Sequence, residues 1–105
     1  MAFEYEKYID KCKAPKKASA VKRIVEWIML GVRKGYDSEL LADKLNTQGI
    51  KTIQGKKWNY YSLQMQLLKM ARLDTDSSLA WGLAMLLREG KVSADDLELL
   101  EARTR

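Results

Sequence analysis

The sequence predicts a mainly α-helical fold, a small helical domain containing a helix-turn-helix variant with a short β-hairpin or wing between its two helices. Three observations lead there. Apolar residues recur on a 3.6-residue repeat along most of the chain. Capping and stop residues bracket each of these stretches. One segment, residues 51–58, breaks the helical period with strand formers around a Gln-Gly turn.

Each element has its own local cause. Phe3, Tyr5 and Tyr8 are placed to pin a short helix on the body. Lys11 to Lys17, interrupted by Pro15, reads either as a basic connector touching phosphates or as a solvated linker. Between Ala18 and Lys34, Val21, Ile24, Val25, Ile28, Met29 and Val32 form one apolar stripe. Ser19 is its expected N-cap and Gly35 its stop, with Trp27 and Leu30 off the centre of the stripe. Asp37 caps the next helix, whose Leu40, Leu41 and Leu45 are expected to face inward, and Gly49 ends it. Thr52 and Ile53 favour strand, Gln54-Gly55 favours a turn, and Trp58 returns the chain to the core.

Asn59 then caps a helix running from about Tyr60 to Ala71, with Leu63, Leu67, Met70 and Ala71 on its buried side. Leu79 to Glu89 is apolar almost all round, which requires that something bury it: the domain core or a homodimer seam. Gly90 stops that helix. Ser93 opens a last one with Asp95 and Asp96 in its first turn, where acids suit the helix dipole.

Composition narrows the function. The chain has 105 residues, 19 Lys+Arg against 14 Asp+Glu, one cysteine and no histidine. That length allows a single domain, 1–105, divided into a basic N-terminal arm (1–17), a helix-turn-helix-like body (18–72) and a C-terminal helical extension (77–105). Without histidine there is no Ser-His-Asp triad and no Cys-His dyad, and one cysteine allows neither an intrachain disulfide nor a Cys-based zinc site. The expectation is a non-enzyme with no metal and no cofactor. Asp74 and Asp76, like Asp95 and Asp96, are better explained as helix caps than as a catalytic carboxylate pair. No stretch approaches ~18 uninterrupted apolar residues, and Met1 to Lys7 lacks the apolar run of a signal peptide. With a lone thiol, this points to a cytoplasmic protein with no membrane partner.

The charge is uneven. Residues 1–72 carry 15 Lys+Arg and 7 Asp+Glu, whereas residues 73–105 carry 4 and 7. This suggests a basic functional body with an acidic tail element.

The stretch from Leu41 to Trp58, Leu-Ala-Asp-Lys-Leu-Asn-Thr-Gln-Gly-Ile-Lys-Thr-Ile-Gln-Gly-Lys-Lys-Trp, resembles the DNA-binding "recombinase" domain that follows the catalytic domain in large serine recombinases. There the pattern runs Leu/Ile-Ala-x-x-Leu-Asn-x-x-Gly-Ile-x-Thr-x-x-Gly-x-x-Trp and continues into a helix. Ser62, Leu63 and Leu67 occupy the later positions, so the resemblance extends from Leu41 to Leu67. Lys51 stands where that family often has Pro, and Gln64, Met65 and Gln66 stand where its reading helix tends to carry arginine. The resemblance does not extend to a serine-nucleophile domain. It implies a DNA-binding module of phage or mobile-element type, a transcriptional regulator or recombination accessory factor, rather than a recombinase.

On that reading the helix after the Gly49–Trp58 hairpin reads double-stranded DNA. Lys51, Lys56, Lys57 and Lys69 would neutralise phosphates, and Thr52 and Gln54 would lie on the wing. Asn59, Tyr60 and Tyr61 sit at a helix start that offers N–H groups to a phosphate, one tyrosine being expected to face inward. Gln64 and Gln66 suit adenine edges in the major groove. The rival reading is a protein-binding module of the same fold, an inhibitor or adaptor of a host protein, favoured by the arginine-poor reading helix.

Overall fold

The strongest apolar stripe in the chain forms the longest helix. In a computed structural model, which describes residues 5–12 and 14–104, this is α2, Ala18–Arg33. It follows α1, Tyr5–Lys11, and precedes α3 (Ser38–Thr47), α4 (Tyr60–Arg72), α5 (Ser78–Arg88) and α6 (Ala94–Arg103). Every residue of the α2 stripe, from Val21 to Val32, is buried. The helix begins at Ala18, two residues before an N-cap at Ser19 would allow. Lys17 holds the N-cap position with no side-chain bond, so Ser19 lies inside the helix rather than capping it.

Other helix ends follow local chemistry closely. The Asp37 carboxylate accepts a hydrogen bond from the Leu40 amide, and Asn59 and Ser62 form a reciprocal capping box at the start of α4. Ser93 and Asp96 do the same for α6. Gly49 closes α3 at φ 73°, a left-handed conformation that side chains rarely adopt. Within α3 the buried residues are Ser38, Leu41, Ala42 and Leu45, while Leu40 points to solvent. Leu40 stands about 100° of helix rotation from Leu41, on the side away from Ser38, Ala42 and Leu45.

α5 is the centre of the molecule. Leu79, Ala80, Trp81, Gly82, Leu83, Ala84 and Leu86 are all buried within the single chain, where α1, α2 and α4 pack around the helix. Gly82 lets α2 come close, because a Cβ there would lie 3.0 Å from a Val21 methyl and 3.1 Å from a Val25 methyl. Within the N-terminal arm α1 docks on α5: Tyr8 is buried beside Ala80 and Ala84, and its hydroxyl donates to the Asp74 carbonyl at 2.8 Å. Phe3 and the side chain of Tyr5, expected to share that anchoring, lie outside the described residues.

The C-terminal acids serve the body. Glu89 pairs with Lys22, Glu26 with Lys91, and Asp96 with Arg33, whose Nε and Nη2 both donate to it at 2.9 Å. α6 thereby closes over α2 and α4. Acids and bases pair along α2, α5 and α6, and among the described residues no lysine or arginine of α3, the turn or α4 forms an ion pair.

The expected β-hairpin or wing is not present: the described residues are all-helical and contain no strand. Residues 51–57 instead form a compact turn. The Gly55 amide donates to the Thr52 carbonyl at 2.9 Å, and the Thr52 amide donates to the Lys56 carbonyl at 2.8 Å. In a hairpin the Lys56 amide would complete this pair by donating back to the Thr52 carbonyl. Here it donates to the Thr52 hydroxyl at 3.0 Å. A side chain has taken the place of a ladder bond, and pairing goes no further.

Candidate nucleic-acid interface

The turn owes its position to Asn46 and Trp58. Trp58 is buried in the main core, and its backbone is held at both polar groups by one side chain. Its amide donates to Asn46 Oδ1 at 2.8 Å, and its carbonyl accepts from Asn46 Nδ2 at 2.8 Å. A primary amide is the side chain that presents one donor and one acceptor in this geometry. Asn46 belongs to the sequence pattern but was not among the expected site residues. Its function is to brace the chain where it re-enters α4, so that the turn projects from a fixed base. Replacing Asn46 with Leu should cost about 2 kcal/mol, because two backbone groups lose their partner near the core. Asn46→Asp should also destabilise at neutral pH, because a carboxylate oxygen would face the Trp58 carbonyl where Asn46 Nδ2 donates, and the loss should ease as acid protonates that carboxyl. Urea midpoints of the two variants test this, and equal stabilities for parent and Asn46→Leu would overturn it.

Around that base the expected site residues separate into three groups. Lys51, Lys56 and Lys57 are exposed, Lys69 is half-buried, and none of the four forms an ion pair among the described residues. Gln54 is exposed at the turn. Tyr60 and Tyr61 are 55% and 79% exposed at the start of α4, so neither faces inward as expected of one of them. A second group is engaged in holding the structure: Thr52 stitches the turn, and Asn59 Oδ1 takes the Ser62 amide. The Ser62 amide is therefore closed to a phosphate.

The glutamines form the third group. Gln64 and Gln66 are two residues apart, about 200° around a helix, and cannot look into one groove together. Gln64 is half-buried, and its Oε1 accepts a hydrogen bond from Ser38, a buried residue of α3. Gln66 lies on the opposite flank, lining a cleft of about 290 Å³ between the turn, α4 and the start of α5. Thr52, Ile53, Gln54, Met65 and Lys69 line the same cleft, which shows that the turn runs beside the outward face of α4.

That outward face is a stripe the sequence reading passed over. Leu63, Leu67 and Met70 are buried, and on the opposite side stand Tyr61, Met65, Leu68 and Arg72 at i, i+4, i+7 and i+11. Tyr61, Met65 and Arg72 are exposed and Leu68 is half-buried. The spacing was present in the sequence; the signal was the complement of the core stripe.

The Arg33 guanidinium holds the Asp96 carboxyl below the usual carboxylate range, with Ser93 adding hydrogen bonds, and Lys22 does the same for Glu89. Among the described residues no cluster of His, Cys, Asp and Glu is arranged to hold a metal ion, and no helix is long and apolar enough to cross a membrane.

The class defined by these features is a small domain, all-helical in its described residues, that presents one exposed helix beside a lysine-bearing turn. A family model described as Recombinase matches residues 15–71, more than half of the chain, and the chain belongs to that family. It is a recombination-related protein. The match spans α2, α3, the turn and nearly all of α4, the elements that build the candidate interface. No curated protein and no solved structure shows significant similarity to the chain.

Proposed function

We propose that the chain is a double-stranded-DNA-binding module of phage or mobile-element type, acting in the cytoplasm as a transcriptional regulator or recombination accessory factor, by binding and not by catalysis. The observation that carries this reading is the set of four lysines, Lys51, Lys56, Lys57 and Lys69, that form no ion pair among the described residues and stand beside an exposed helix. Lysines that neutralise phosphates release counterions and make binding salt-dependent. Membership of the Recombinase family supports the reading, since recombination is a reaction of DNA.

The test is binding of the full chain to random-sequence duplex DNA, followed by fluorescence anisotropy across a salt series. Tight binding at low salt with a steep log–log slope is expected. Replacing Lys56 and Lys57 together by Ala should weaken binding about equally for all sequences and reduce the slope by about 1 per lysine lost. A double variant that binds every duplex like the parent would remove these lysines from the interface. A protein-binding module is the second reading, favoured by the exposed apolar groups Tyr60, Tyr61 and Met65. It predicts no DNA binding even at low salt.

A further inference from the structure

We infer that the outward stripe of α4, led by Tyr61 and Met65, selects DNA by contact with the 5-methyl groups of thymine in the major groove. This rests on the DNA-binding reading above and adds the chemistry by which one sequence is preferred over another. Reading a base edge by hydrogen bonds is done chiefly by Arg, Lys, Asn or Gln on the face that enters the groove. In the N-terminal half of α4, the half that reaches bases first in helix-in-groove docking, the outward face has none of these. Gln64 has its acceptor occupied by Ser38, and Gln66 lies around the helix in the cleft beside α5.

What this half does present is a phenol ring, 79% exposed, and a thioether side chain, 49% exposed, one helical turn apart. The major groove has one apolar feature for such groups to meet, the thymine methyl. Methionine adapts its shape to an irregular surface, so Met65 suits contact with a methyl in a groove. Charge commits the stripe to DNA over an apolar protein surface. Lys56 and Lys57 stand just before the helix, Lys69 flanks it, and Arg72 ends the stripe about 16 Å beyond Tyr61, so cations frame the apolar centre as phosphates frame a groove. Arg72 at that distance reaches the backbone on the far side and fixes the helix along the groove.

The test changes the DNA and leaves the fold alone. Duplexes enriched by the full chain from a random-sequence pool are resynthesised with deoxyuridine in place of thymidine, one position at a time, removing a methyl while keeping the base pair. At one or two neighbouring positions the affinity should fall about 3- to 5-fold per methyl, the effect of losing one buried methyl contact. Met65→Ala should bind the thymidine and deoxyuridine duplexes alike at one of those positions. Tyr61→Phe, which keeps the ring, should remain methyl-sensitive. A chain that prefers a sequence yet tolerates deoxyuridine everywhere would overturn the inference while leaving the DNA-binding reading intact, as would binding with no sequence preference at all. Absence of binding to any duplex at low salt would remove both and return the stripe to a protein partner.

Discussion

Replacing Trp58 with Ala should destabilise the protein by about 3–5 kcal/mol, the range for removing a large buried aromatic side chain. In a domain of this size that is a fall of roughly 10–20 °C in melting temperature. Trp58 is 4% exposed and belongs to the main core together with Leu41, Leu45 and Leu63, so truncation opens a cavity among residues from α3 and α4. Its indole N–H is buried with no hydrogen-bond partner among the described residues, so its contribution there is packing and not a polar bond. Trp58→Phe is therefore expected to be much milder, about 1.5 kcal/mol or less, because the loss of volume is offset by removing an unsatisfied donor. Thermal and urea unfolding of both variants test the pair. A parent-like midpoint for Trp58→Ala would mean that the turn is not anchored through its side chain. The functional consequence follows from position: Lys56 and Lys57 immediately precede Trp58, so a lost anchor frees the lysines from a defined place beside α4.

What could be read from the sequence was whatever depends on near neighbours. Asp37, Asn59 and Ser93 make their capping bonds to residues three positions away, and caps of that kind are visible in a local pattern, although α5 is capped by Ser77 and not by Asp74 or Asp76. The core stripe of α2 was equally legible, since one side of a helix repeats every three or four residues. The wing was not, because strand propensity in Thr52 and Ile53 is a weak preference that tertiary bonding overrides. Two side chains decide the matter: the Thr52 hydroxyl takes the Lys56 amide, and Asn46 takes both polar groups of Trp58. With those groups satisfied, no second strand is needed. The site divides the same way. Exposure of Lys51, Lys56 and Lys57 follows from their chemistry, whereas the capture of Gln64 by Ser38, 26 residues away, depends on how α3 meets α4. The mutual exclusion of Gln64 and Gln66 was available from helix geometry, and so was the stripe of Tyr61 and Met65.

The second large effect lies where the acidic end of the chain meets α2. Asp96→Ala should cost about 3 kcal/mol near neutral pH, from two sources. It removes the carboxylate that accepts two Arg33 hydrogen bonds at 2.9 Å, 63 residues away in sequence, and it removes the acceptor for the Ser93 amide in the α6 capping box. The Asp96 side chain is 12% exposed and Arg33 is 38% exposed, so the pair is worth more than a surface ion pair and less than a fully buried one. The cost should depend on pH in a defined direction. Asp96 titrates below the ordinary aspartate range in the folded protein, principally because Arg33 donates to its charged form. A carboxyl depressed by folding contributes its full stability above the unfolded value of about 4 and loses it as pH falls through the folded one. Arg33, raised by the same hydrogen bond, stays charged throughout. Glu89 is depressed by Lys22 in the same acid window, but both proteins carry it, so it cancels in the difference. The stability gap between parent and Asp96→Ala should thus be constant from pH 7 down to about pH 5 and close progressively below about pH 4. Urea unfolding measured from pH 7 to pH 3 reads this directly. A gap that stayed unchanged at pH 3 would show that Asp96 acts through the helix cap and packing, with no contribution from its charge on Arg33.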